Sequence, residues 1–153
     1  MSETLLIHAT AVAINTAAGL RAVLIRGPSG SGKSDLGLRL IDAGARLVAD
    51  DQSELQRHGE LVIVRSPAAI AGLIEVRGVG IVRIDPLAEA PLVLIADLVS
   101  PETIERLPAR ASERLLGLDL PRIAVAPFEV SAAAKVALAV RALTGPELPR
   151  PAD

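Results

Sequence analysis

Gly27-Pro28-Ser29-Gly30-Ser31-Gly32-Lys33-Ser34 follows directly on the apolar run Ala22-Val23-Leu24-Ile25-Arg26 and leads into Asp35-Leu36-Gly37-Leu38-Arg39-Leu40-Ile41. The octet has the pattern G-x-x-x-x-G-K-[ST], and its flanks read as a strand before it and a helix after it. Successive backbone N–H groups of such a loop, with the positive end of the following helix, cradle the phosphates of a nucleotide. Lys33 is placed to reach the β- and γ-phosphates, and the Ser34 hydroxyl to ligate Mg²⁺. Ordinary residue frequencies give this pattern by chance in about one chain of this length in two hundred. The competing reading is a Gly/Ser-rich turn that caps a helix. Lys33 is also one of two lysines, with Lys135, in a chain that otherwise uses Arg for positive charge.

Outward from the loop, short runs rich in Val, Ile and Leu and bounded by Gly, Pro or Asp predict strands over residues 5–14, 22–26, 46–49, 61–65, 73–77, 91–98 and 122–126. Helical spacing predicts helices over 34–43 and 131–143, and a weaker one over 102–116 interrupted at Pro108. The fold class is α/β: a mixed sheet, with a nucleotide-binding P-loop, flanked by helices. Residues 1–145 read as a single domain, and the proline-rich tail 146–153 as a frayed end.

Composition narrows the function. Of 153 residues half are hydrophobic but only 1% aromatic, so Ala, Val, Leu and Ile must build the core, and stacking platforms for single-stranded nucleic acid are excluded. Sixteen basic against 18 acidic side chains give a net charge of -2, without the basic excess that a nucleic-acid partner requires. No apolar run reaches the roughly 18 to 20 residues of a membrane helix. Absence of cysteine removes thiolate chemistry and fits a reducing compartment. The amino terminus lacks the basic and apolar regions of a signal peptide, so a cytoplasmic location is expected.

Arg46-Leu47-Val48-Ala49-Asp50-Asp51 places two carboxylates at the end of an apolar strand soon after the P-loop helix. Mg²⁺ prefers hard oxygen ligands, and phosphoryl transfer needs an acceptor for the hydroxyl proton of the nucleophile, so adjacent aspartates suit both tasks. A solvated turn is the alternative. Asp97, closing another apolar strand, is a rival metal carboxylate. His8 alternates with apolar neighbours, as a structural strand histidine does, and His58 lies in a polar turn. Glu75 in an apolar strand calls for a metal or an arginine such as Arg77 if it is buried. Arg106, Arg110 and Arg114 recur every fourth residue: either a cationic lid over a nucleotide or, with Glu102, Glu105 and Glu113 interspersed, a solvated face of ion pairs.

On these residues the chain resembles the HPr serine kinase/phosphorylases, bacterial enzymes that phosphorylate a small phosphocarrier protein on serine and can remove the phosphate again. The likeness rests on His8, the loop Gly27 to Ser34 with Asp35 after it, residues 46–51, and Glu75-Val76-Arg77-Gly78-Val79-Gly80-Ile81, and it covers roughly residues 5–143. It implies Asp51 as proton acceptor in phosphorylation and donor in the reverse reaction, with His8 and Lys33 beside it. It implies Ser34 and Glu75 as Mg²⁺ ligands and a catalytic loop from Glu75 through about Ile84; Asp50 is the metal carboxylate that the aspartate pair itself offers. ATP with Mg²⁺ is the implied donor, though the family also permits pyrophosphate. An HPr-like phosphocarrier is the implied partner, and a homo-oligomer the implied assembly. The resemblance is to a short form without the family's amino-terminal domain, and the segment from His8 to Gly27 is a few residues longer than in the family. Where the family carries a Pro-Gly-Arg-Asn type loop tied to dephosphorylation, this chain reads Ala126-Pro127-Phe128-Glu129-Val130, with no arginine. Against this stand two readings from other classes: a small-molecule P-loop kinase with the three arginines as its lid, and a non-catalytic nucleotide switch.

Overall fold

Alanine stands at every second position of the stretch Ala9-Thr10-Ala11-Val12-Ala13-Ile14, and all six residues are buried. A strand buried on both faces lies within a sheet that is covered on both sides, and alanines on one face let the second layer come close. The computed structural model describes residues 3–144 and bears this out. Its elements are β1 (Thr4–Ile7), β2 (Ala9–Thr16), β3 (Gly19–Arg26), α1 (Lys33–Asp42), β4 (Arg46–Ala49), β5 (Ser53–His58), β6 (Leu61–Arg65), β7 (Leu73–Val76), β8 (Gly80–Arg83), β9 (Glu89–Leu98), β10 (Ala111–Leu115), β11 (Leu118–Val125) and α2 (Ala132–Thr144). Nine strands form one mixed sheet in the order β1-β5-β6-β9-β3-β2-β4, with β11 also on β9 and β10 on β11, while β7 and β8 form a separate hairpin.

The sheet is mixed, as expected, but both helices lie on one face of it. Val12, Ile14, Val23 and Ile25 pack there against Leu36, Leu40, Val136 and Val140. On the other face Ala9, Ala11, Ala13 and Leu24 meet Leu55, Val62, Leu115 and Leu120, so the antiparallel strands fold over the alanine side of β2. Among the described residues the buried apolar side chains are Ala, Val, Leu and Ile.

β9 and β11 run parallel to β3, and β4, antiparallel to β2 as β2 is to β3, points the same way. The carboxyl ends of β3, β4, β9 and β11 and the amino end of β2 therefore share one edge, where ligands of open α/β sheets bind.

Four expectations need correction. The strand over 5–14 breaks at His8, because β1 pairs with β5 whereas β2 pairs with β3 and β4. The segment from Glu75 to Ile84 is mostly a hairpin, β7 turning into β8. Strand β5 lies where no strand was expected; its pattern of Ser53 and Leu55 buried among polar residues is weak. Residues 102–116 form no α-helix: a 3-10 turn at Pro101–Thr103 leads to the strand β10. Pro108 removes a helical donor. Leu116 and Gly117, with φ of 51° and 82°, make the two-residue left-handed turn that pairs β10 with β11. Arg106, Arg110 and Arg114 thus share no helical face, and Arg114 instead reaches Asp119 across the hairpin at 3.1 Å. The tail 146–153 lies outside the described residues.

β10 carries Glu113 to the last residue of the P-loop strand. Arg26 donates to both oxygens of Glu113 at 2.7 Å and to both oxygens of Asp97 at 2.7 and 3.0 Å, and Arg122 adds a 3.2 Å bond to Glu113. Asp97 is thereby engaged in an ion pair with Arg26. Hydrogen bonding to Arg26 holds Glu113 below the ordinary carboxylate range, and the same bonds hold Arg26 above its usual value. A depressed carboxylate stabilises the fold above its unfolded value, and that contribution is lost as pH falls through the folded value. Glu113→Gln is therefore expected to cost about 1–2 kcal/mol at pH 7, and the gap from wild type to close below pH 4.5, the ordinary value for the group. Denaturant unfolding at pH 7 and pH 3 checks this; a gap of equal size at both values contradicts it.

Candidate active site

The P-loop leaves β3 at Gly27 and enters α1 at Lys33. Ser31 N–H donates to the Pro28 carbonyl at 3.0 Å, closing a turn. Gly32 caps the helix with φ 100°, ψ 17°, a left-handed conformation that glycine adopts without a Cβ penalty. Lys33 is buried, and its ammonium donates to the carbonyls of Gly27 at 2.8 Å and Pro28 at 3.1 Å, so it lies folded back along the loop. The Ser31 hydroxyl is buried without a hydrogen-bond partner. The loop and the lysine thus stand at the amino end of α1, a position that suits an anion.

Beside the loop, Asp50 is buried at the end of β4 with three donors on its carboxylate. Ser34 Oγ donates to Oδ1 at 2.6 Å, Thr10 Oγ1 to the same oxygen at 2.9 Å, and the backbone N–H of Glu75 to Oδ2 at 2.9 Å. Asp51 follows with φ 67°, a left-handed conformation that Asp tolerates better than most side chains and that recurs at functional sites. Its N–H donates to Thr10 Oγ1 at 3.2 Å. This turn aims the Asp51 carboxylate away from the core, where it lies 3.4 Å from His8 Nε2, the two side chains being 58% and 49% exposed.

Of the residues singled out from sequence, Lys33, Ser34, Asp50, Asp51 and His8 converge on the shared sheet edge. Glu75 arrives there through its main chain, but its side chain is exposed on β7. His58 is exposed at the end of β5. Thr10, which bridges both aspartates, was not anticipated; the signal for it was a hydroxyl at the centre of an apolar run. Its helix-facing position brings it against Gly37 of α1, where an added Cβ would come within 3.1 Å of the threonine methyl. That close approach explains a glycine inside a helix, where it costs about 1 kcal/mol relative to alanine.

Among the described residues no group of three or more His, Cys, Asp or Glu stands ready to hold a metal ion. Mg²⁺ characteristically takes one or two protein oxygens and completes its shell with water and substrate phosphates. The Ser34 hydroxyl and the Asp50 carboxylate, in direct contact next to the phosphate loop, fit that sparse requirement.

Comparisons with known proteins agree with this geometry. The solved structure described as the Hpr(Ser) kinase/phosphatase from Coxiella burnetii superposes with a TM-score of 0.74 at 28% identity, over 86% of each chain. The HPr kinase/phosphorylase of Leptothrix cholodnii is 39% identical over 117 residues, 68% of this chain and 36% of that protein. That of Listeria welshimeri is 49% identical over 63 residues, 40% of this chain and 20% of the relative. The chain therefore spans roughly a fifth to a third of the length of the curated relatives it matches. The model of the HPr Serine kinase C-terminal domain matches residues 1–142. Since that match runs from the first strand into the last helix, the chain belongs to the family of HPr serine kinase C-terminal domains.

Proposed function

We propose that the chain is a Mg²⁺-dependent, ATP-using serine kinase of the cytoplasm whose acceptor is a serine of a small HPr-like phosphocarrier. One juxtaposition carries the reading: at a single sheet edge the P-loop serine touches a buried aspartate at 2.6 Å, while the next aspartate stands exposed beside a histidine. The names of the relatives support the acceptor class. Phosphoryl transfer asks the protein for positioning, charge neutralisation and one proton acceptor. The loop N–H groups and Lys33 hold the phosphates, with Lys33 exchanging its carbonyl contacts for phosphate oxygens. Ser34 and Asp50 would hold Mg²⁺, which neutralises the phosphate oxygens when bound. Asp51 accepts the serine hydroxyl proton as that oxygen bonds to the γ-phosphorus and the bond from phosphorus to the β-phosphate oxygen breaks, releasing ADP. His8, 3.4 Å from the Asp51 carboxylate, flanks this acceptor. Incubation with labelled ATP, candidate phosphocarriers and a panel of small metabolites tests the assignment; label confined to metabolites, or to nothing, overturns it.

Lys33→Ala is expected to weaken Mg-nucleotide binding or transfer, because it removes the charge that meets the β- and γ-phosphates. Calorimetric titration with ADP and the transfer assay check it, and unchanged values in both would remove the P-loop assignment.

Asp51→Asn keeps a residue that tolerates the left-handed turn but cannot take the proton. Nucleotide affinity should hold while kcat falls by about 10² to 10⁴. A near-normal kcat would move the base elsewhere, with Asp50 the first candidate.

The loop 126–130 has no arginine, and the neighbouring Arg39 is committed to its backbone carbonyls. Removing phosphate from phosphoserine with inorganic phosphate brings two anions together, whereas the forward acceptor is a neutral hydroxyl. Forward transfer should therefore exceed phosphorolysis even in excess phosphate. Following the phosphorylated partner in phosphate and Mg²⁺ checks this, and loss as fast as the forward rate contradicts it.

A further inference from the structure

Phe128 is the one aromatic residue of the chain, and it is not in the core. It is 74% exposed, between the buried Pro127 and the half-buried Glu129, in the loop that joins β11 to α2. A Cβ placed on Gly32 would lie 3.0 Å from the ring Cζ and 3.1 Å from Cε1, so the ring rests on the phosphate loop one residue before Lys33. The loop is held there from the P-loop helix itself: Arg39 of α1 donates to the Pro127 and Glu129 carbonyls, and its guanidinium is steadied by Asp35 at 3.0 Å. Glu129 N–H donates to the Ala126 carbonyl at 3.3 Å, tightening the turn.

The sheet order sets a direction. His8, Asp50 and Asp51, where transfer is placed, stand on the β2 and β4 side of the P-loop strand, whereas Phe128 follows β11, beyond β9 on the opposite side. A nucleotide whose phosphates lie in the loop with the terminal phosphate toward Asp51 sends its nucleoside end the other way. We propose that Phe128 is the platform on which the base of the bound nucleotide stacks, a specificity-determining residue for a nucleotide over an inorganic polyphosphate. This rests on the phosphate-loop reading of the proposed function. An aromatic ring offers a π-face to any base without hydrogen-bond readout, so the preference is for having a base more than for which base.

Phe128→Ala is expected to weaken ADP binding about 5- to 150-fold and to leave tripolyphosphate binding unaltered. Phe128→Trp supplies the protein's sole indole, and its emission should change on adding ADP but not tripolyphosphate. Lys33→Ala, measured alongside, weakens both ligands if the phosphate-loop reading holds; if it weakens neither, that reading fails, separately from this one. Should Phe128→Ala weaken both ligands equally, the ring merely props the loop and the proposal falls. It falls also if ADP affinity is unchanged while KM for the phosphocarrier rises, which would put the ring against the protein partner.

Discussion

Asp50 is a buried carboxylate, and a buried carboxylate must be met by donors. Its three come from β2, α1 and β7, through Thr10, Ser34 and the Glu75 backbone. These elements lie far apart in sequence, so satisfying one side chain fixes the P-loop helix, the aspartate turn and the β7–β8 hairpin relative to one another. Removing a single donor would leave the others crowded round a charge with less to balance it, at about 1–3 kcal/mol for the orphaned group. The site is therefore assembled by the same constraint that closes the fold at this edge.

Around that carboxylate the elements divide the work. α1 contributes Lys33 and Ser34, the turn after β4 an exposed carboxylate, and the bend before β2 a histidine. The P-loop strand is anchored at its last residue by Arg26, which spans Asp97 and Glu113 and ties β3 to β9 and β10. This network lies immediately upstream of Gly27, so the loop starts from a fixed point instead of a frayed strand end.

Much of this was legible in the sequence because it is local. The octet at Gly27, the helix after it and the apolar strand ending in Asp50-Asp51 announce themselves by spacing, and the resemblance drew His8 and Glu75 toward them. The rest could not be read because it was set by contacts between distant segments. Glu113, three residues from Arg110 and one from Arg114, looked like part of a charged helical face; its true partner, Arg26, is 87 residues away. β5 has little hydrophobic signal because β1 and β6 hold it from either side, through the backbone. Glu75 reads as a ligand by its side-chain chemistry, yet the contact observed here is made by its N–H. Phe128 is a single residue without periodicity, and only its place over Gly32 gives it meaning.

The register of β2 is where packing and chemistry become one requirement. Side chains alternate in a strand, so a slip of one residue would turn the alanines toward the helices and Thr10, Val12 and Ile14 toward the second layer of strands. The larger residues would then collide where only alanine fits, and Asp50 would lose the hydroxyl that also accepts from Asp51. Between Ala11 and Val12 the pairing of β2 with β4 shifts register. Such an irregularity bends a strand and re-aims the residues beyond it, and beyond it on β4 lies the turn through Asp50 and Asp51. Past this irregularity Asp50 points inward to Thr10 and Ser34, and Asp51, in its left-handed turn, stands outward beside His8. Two adjacent residues of one type thereby receive opposite environments, which is the physical condition for one of them to meet a cation and the other a proton.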